Sequence, residues 1–174
     1  IQDLLGLMGE IRPLLADPRA FEMAIWFHDA IYDPRAKDNE TASAALVRPT
    51  LEGLADDATI ARVEQLVLAT DGHQPPVGPN GGAAGDIAYF IDADLASLGA
   101  PPAIFDRNSR NIRHEYRHVP EAEFNAGRAR ILKGFLDRQP IYRTKWFHDR
   151  YEAQARENLT RGLRELGFAP VASG

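Results

Sequence analysis

The chain has 174 residues, 44% of them apolar and 26% charged, which suits one globular domain with a sizeable core. Its 20 basic and 25 acidic side chains leave a formal net charge of -5, so it has no global attraction to a nucleic-acid polymer or an anionic membrane. The absence of cysteine excludes disulfides and thiolate metal sites, and no apolar run approaches the ~18 residues that span a bilayer. The opening residues carry no signal-peptide pattern, and the cytoplasm is the expected compartment.

Helical periodicity runs almost end to end and strict apolar–polar alternation never persists, so the expected fold is all-α, a single helical domain over 1–174. The first helix covers roughly 1–16 with Leu4, Leu5, Met8, Ile11 and Leu15 inward. Gln2-Asp3-Leu4-Leu5 reads as mid-helix without a cap, so residues upstream of Ile1 are expected. The second helix starts at Asp17 as N-cap with Pro18 in first position, and runs to about Tyr32. A third, from about Asp38, carries Ala42, Ala45, Leu46 and Leu51, with Pro49 expected to kink or restart it. The fourth begins at Asp57 as capping residue, buries Ile60, Val63 and Val67, and ends near Gly72, leaving His73 just beyond. Residues 74–85 hold three prolines and four glycines and form the one long loop, placed to edge a pocket. The fifth helix opens at Asp86 as N-cap and ends at Gly99. The rest run over about 102–118, 121–137 and 144–166.

In AIWFHDAIYD, His28 and Asp29 interrupt an apolar helical stripe. At about 100° per residue, Phe21, Ile25, His28 and Tyr32 share a face, while Ile25 and Tyr32 flank Asp29 one turn away on each side. A carboxylate on a core-facing stripe is unfavourable unless it is paired, hydrogen-bonded or bound to a cation. A divalent ion satisfies both side chains at once. His148-Asp149 serves as an internal control: beside Lys145, Arg150 and Glu152 it is expected on a solvated face. The fifth helix offers Asp92 and Asp94, which differ by about 200° and cannot both face one ion. With Ile87, Phe90, Ile91 and Leu98 as the buried stripe, Asp94 is expected inward and Asp92 outward with Ala88 and Ala96. Two core-facing carboxylates on separate helices are what a metal site inside a helical bundle requires.

The ordered series AIWFHDAIYD, NETASA, LATDGH, FIDADLASLG, IRHEYRHVP and FNAGRARIL resembles the HD superfamily of metal-dependent phosphohydrolases, in particular its small bacterial branch, over nearly the whole chain. That family's pattern is a histidine, a His-Asp pair and a distant aspartate around a metal. The resemblance implies that His28, Asp29 and Asp94 match the last three ligands. The helix over 1–16 holds no histidine to match the first, and similar proteins carry one just ahead of the segment corresponding to Ile1, so that ligand is expected upstream. An acidic residue near Asp33 assists the attacking water in related hydrolases, which makes Asp33 the candidate general base; otherwise it caps the turn before Pro34.

His73, at a helix end beside the loop, is a candidate second-metal ligand or substrate contact, or else it meets terminal helix carbonyls. Lys37 and Glu40 lie in the connection after Asp33 and are expected within reach of the pocket, and Lys37, Arg113 and Arg128 are candidate phosphate contacts. The nitrogen and oxygen ligand set admits manganese, magnesium, iron, cobalt, nickel or zinc. The expected activity is hydrolysis of a phosphoester or phosphoanhydride in a small phosphorylated substrate, a nucleotide by resemblance. A non-catalytic ligand sensor on the same scaffold is the alternative.

His114-Glu115-Tyr116-Arg117-His118 also meets zinc-protease spacing. Arg113 and Arg117 would place positive charge beside a cation, Val119-Pro120 ends the helix, and no third-ligand extension follows. A salt-bridged helix surface is the competing reading.

Overall fold

The computed structural model describes residues 1–73 and 85–168. Every regular element among them is helical, so the all-α expectation holds: α1 Gln2–Ile11, α2 Pro18–Phe27, α3 Asn39–Ala45, α4 Val47–Leu51, α5 Asp57–Leu68, α6 Gly85–Asp94, α7 Pro102–Glu115, α8 Glu121–Leu136 and α9 Lys145–Glu165. Short 3₁₀ turns follow α1 (Arg12–Leu14), α5 (Asp71–His73) and α6 (Leu95–Gly99). The loop expected over 74–85 lies, except for Gly85, outside the described residues. No described helix is long and apolar enough to cross a membrane.

The chain divides into two compact units, Ile1–Asp94 and Leu95–Gly174. In the first, α5 packs against α2, α3, α4 and α6, and α1 packs against α2 and α6. The contact face of α5 is the apolar series Ile60, Val63, Leu66 and Val67, spaced three and four apart; Ala20, Phe21, Ala24 and Ile25 do the same on α2. Phe21 meets Phe90 of α6 edge-on at 5.0 Å. Removing each such large side chain from water contributes about 1.5–3 kcal/mol.

Helix starts follow local chemistry, with informative departures. Asp17 caps α2 as expected, its Oδ1 accepting the Ala20 N–H at 3.0 Å ahead of Pro18. At α5 the cap is Asp56, not Asp57: the Asp56 carboxylate accepts the Thr59 N–H at 2.7 Å, and Asp57 sits in the first turn, where its charge complements the helix dipole. The third helix restarts at Leu46, before the expected Pro49. Pro49 falls in the first turn of α4, where an N–H has no intrahelical partner to lose. Asp86 does not cap its own helix. It is buried, and its two carboxylate oxygens accept the consecutive N–H groups of Ala16 and Asp17, each at 2.8 Å, tying α6 to the start of α2.

In the second unit the Leu95–Gly99 turn packs against α9 and α7, and α8 packs against α9. A Cβ on Gly99 would stand 2.6 Å from the Tyr151 carbonyl oxygen, so only glycine allows this approach. Asn158 of α9 donates from Nδ2 to the carbonyls of Leu98 at 2.9 Å and Ala100 at 2.8 Å. These bonds satisfy carbonyls that the end of the turn leaves without helical partners. The carboxylate of Glu152 accepts the N–H groups of Ile141 and Tyr142, and Arg156 links it to the carbonyls of Leu136 and Arg138. Together they hold the connection between α8 and α9.

Candidate functional site

The His28-Asp29 pair lies just past the end of α2, not inside a helix running to Tyr32. α2 closes at Phe27, and the His28 N–H makes the last helical bond, to the Ala24 carbonyl at 2.9 Å. His28 is buried as expected, with 5% of its side chain exposed, whereas Asp29 is 63% exposed. Tyr32 is exposed as well. The wheel phase that put Asp29 and Tyr32 inward lapses once the helix stops, and both turn to the rim.

Two polar residues on α3 hold this departing segment. Buried Ser43 accepts the Ile31 N–H at 3.1 Å and donates to the Ile31 carbonyl at 3.2 Å. Asn39, one turn earlier, accepts the Asp33 N–H and donates to the Asp33 carbonyl, both at 2.9 Å. NETASA thus clasps residues 31–33 from a single helix face. Sequence reasoning attached no role to Asn39 or Ser43. The available signal was a polar pair four apart on a helix of mostly small residues, directly after the His-Asp pair.

The His28 ring is fixed from both sides. Its Nδ1–H donates to the Ile25 carbonyl at 2.9 Å, and Phe90 of α6 meets the ring edge-on at 6.0 Å. Nε2 therefore faces the carboxylates, 3.3 Å from Asp29 Oδ2 and 3.6 Å from Asp94 Oδ1. The other Asp94 oxygen, Oδ2, lies 2.8 Å from Nε2 of His73. His28, Asp29, His73 and Asp94 thus meet, from three places in the first unit. Gly72 and His73 both take left-handed backbone, φ 65° and 51°. For histidine this conformation is uncommon and costs energy.

Charge follows this geometry. Burial alone depresses the basicity of His28, but the Asp29 hydrogen bond and the charges of Asp94 and Asp29 together outweigh it and raise the pKa. The Asp29 carboxyl is held below its ordinary value, chiefly by the His28 hydrogen bond against the opposing effect of burial, with the His28 charge adding to it.

Asp94 reaches the cluster, but not for the expected reason. Asp92, expected outward, is fully buried, whereas Asp94 keeps 22% of its side chain exposed. On α6 Asp86, Ala88, Phe90, Ile91, Asp92 and Ala93 are all buried, so the helix has no single inner stripe from which to choose a carboxylate.

Asp33 is exposed in the turn before Pro34, and its Oδ1 accepts the Arg35 N–H at 2.9 Å, the turn-capping alternative. Lys37 is exposed between α2 and α3, and Glu40 is half-buried in the first turn of α3. Arg113 and Arg128 belong to the second unit, where both line a pocket. His148-Asp149 is half-exposed on α9, with Asp149 paired to Lys145, as expected of a solvated face. α7 ends at Glu115 as Tyr116 leaves helical geometry, so His114 and His118 do not share a helix, and both are exposed. The zinc-protease spacing has no helix behind it.

The four-residue cluster offers two imidazole nitrogens and two carboxylates, a donor set suited to a divalent ion. Separations of 3.3 and 3.6 Å around His28 Nε2 match the ~3–4 Å expected between ligands of one ion. The Ile25 carbonyl supplies the outer partner that metal-binding imidazoles use. The side chains bond to one another, and among the described residues no group of three or more His, Asp or Glu is spaced as a ready ion cage. Comparison of the chain with family models, curated proteins and solved structures finds no match.

Proposed function

We propose that this chain is a metal-dependent phosphohydrolase that cleaves a phosphoester or phosphoanhydride bond in a small phosphorylated substrate, a nucleotide in the first instance. The observation that carries the reading is His28 Nε2 facing both Asp29 and Asp94, with Nδ1 held by the Ile25 carbonyl and His73 bonded to the far oxygen of Asp94. A divalent ion bound there supplies Lewis acidity: it lowers the pKa of a bound water toward about 7 and neutralises charge on the phosphoryl oxygens.

The chain's own residues do the remaining work. His28, Asp29 and Asp94 hold the ion, and His73 orients Asp94 or touches the substrate. Asp29 is the most exposed of the three ligands and the one most open to a substrate. In hydrolysis the water oxygen bonds to phosphorus, the phosphorus–oxygen bond to the leaving group breaks, and the water proton passes to a base. Asp33 is the proposed base, through whatever acceptor capacity the Arg35 N–H leaves it. Lys37, exposed in the connection between α2 and α3, is the proposed cation for a phosphoryl oxygen.

The test is metal analysis of the intact protein, followed by phosphate release across a nucleotide panel. Asp94→Asn keeps size while removing a charge. It is expected to lose the metal and to slow phosphate release at least about 100-fold, with helicity retained. Metal and activity persisting in Asp94→Asn while His114→Ala or His118→Ala strips the metal would overturn the assignment. A wild-type protein with neither metal nor activity favours the ligand-sensor alternative.

A further inference from the structure

A cavity of about 430 Å³ opens among α7, α8 and α9 in the second unit, a volume in the range of small-ligand sites. Arg110, Arg113 and Arg128 line it together with Ser109, Asn125 and Phe124. Arg110 is exposed, and the other two guanidinium groups differ in what already holds them. Arg113 donates to the carbonyls of Tyr116 at 2.8 Å and Val119 at 3.3 Å and lies 4.7 Å over the Phe124 ring, so it serves as a wall. Arg128 is half-buried and makes no hydrogen bond or ion pair with any described residue. Burial pushes its guanidinium below the ordinary value, with only the Tyr116 hydroxyl acting in the other direction.

The pocket's acids do not resolve this. Asp106 and Glu165 both pair with Arg161, at 2.6 and 3.1 Å. Glu121 is exposed in the first turn of α8. A half-buried guanidinium without an anionic partner is costly, and its planar fork matches the oxygens of a phosphate.

We propose that this pocket binds a small organic phosphate, with Arg128 forking onto the phosphoryl oxygens and Arg110 adding charge at the rim. Asn125 and Ser109 supply hydrogen bonds, and the body of the ligand lies against Phe124 and Leu132. The site stands independently of the His28 cluster and requires no metal.

Calorimetric titration of the chelator-treated full chain tests this with adenosine monophosphate, inorganic phosphate and malonate. Adenosine monophosphate is expected to bind and inorganic phosphate to compete, while malonate, a carboxylate of similar charge, binds more weakly. Arg128→Met should weaken binding at least about 10-fold, the worth of one charge-assisted bond. Arg128→Lys, which keeps the charge without the fork, should show a smaller but measurable loss. Arg110→Gln, at an exposed position, supplies the same test if Arg128→Met fails to fold. Asp94→Asn should leave the affinity unchanged. No binding by the wild type, binding indifferent to Arg128→Lys and Arg110→Gln, or loss of binding in Asp94→Asn would each overturn the proposal. Malonate binding as tightly as the phosphates would overturn the assignment to phosphate.

Discussion

His73 Nε2 lies 2.8 Å from Asp94 Oδ2, while Asp94 Oδ1 lies 3.6 Å from His28 Nε2. One carboxylate on α6 is therefore shared between a histidine that ends α2 and a histidine that follows α5. Each of its oxygens faces a different ring.

That sharing makes His73 a test of the proposed centre. Asparagine tolerates the left-handed backbone that His73 adopts, so His73→Asn removes the ring with little conformational penalty. Metal affinity, measured by competition with a chromogenic chelator, is expected to fall about 10- to 100-fold, the usual effect of losing a partner that orients a ligand. An unchanged affinity would show that Asp94 does not depend on His73.

Asp86 carries a prediction about stability. Its carboxylate is buried and accepts two part-buried backbone N–H groups, so Asp86→Ala removes the acceptor from both donors at once. Urea denaturation should show a loss of about 3 kcal/mol. Asp86→Asn should fall between the two, because its amide keeps one acceptor and turns a donor toward the second N–H. A loss below about 0.5 kcal/mol in the alanine variant would contradict the anchoring role.

Asp56 carries the pH prediction. The Thr59 backbone N–H, chief among its causes, lowers the pKa of this capping carboxyl in the folded protein. A group with a depressed folded pKa stabilises the fold above its unfolded value, about 3.9, and loses that contribution as pH falls through the folded pKa. The stability difference between wild type and Asp56→Ala should therefore be full at pH 7, begin to shrink below about pH 4, and continue to shrink in more acid solution. Denaturant titrations at a series of pH values measure it. A difference that stays constant down to pH 2 would mean that the capping bond does not depend on the charge.

Where the physical cause is local, much of the fold was legible in the sequence, although individual helix ends such as the Asp56 cap and the restart at Leu46 were displaced by a few residues. Periodicity identified the helices, the Asp17-Pro18 pair marked the start of α2, and the buried faces of α2 and α5 follow directly from apolar spacing. The neighbours of His148-Asp149 were enough to place that pair at the surface. Residues 28, 29 and 94 could be singled out because ionisable groups were set among apolar ones.

Only the tertiary structure decided how those residues meet. The end of α2 at Phe27 turned Asp29 to the rim, because a helical wheel predicts direction only while the helix lasts. The burial of α6 around most of its circumference put Asp92, expected outward, inside the fold, since a helix buried on several sides has no outward face to read. Asp86 looked like a cap by position but bonds to Ala16 and Asp17, 70 and 69 residues away. Contacts over such separations depend on how helices dock, and a one-dimensional pattern carries no information about docking.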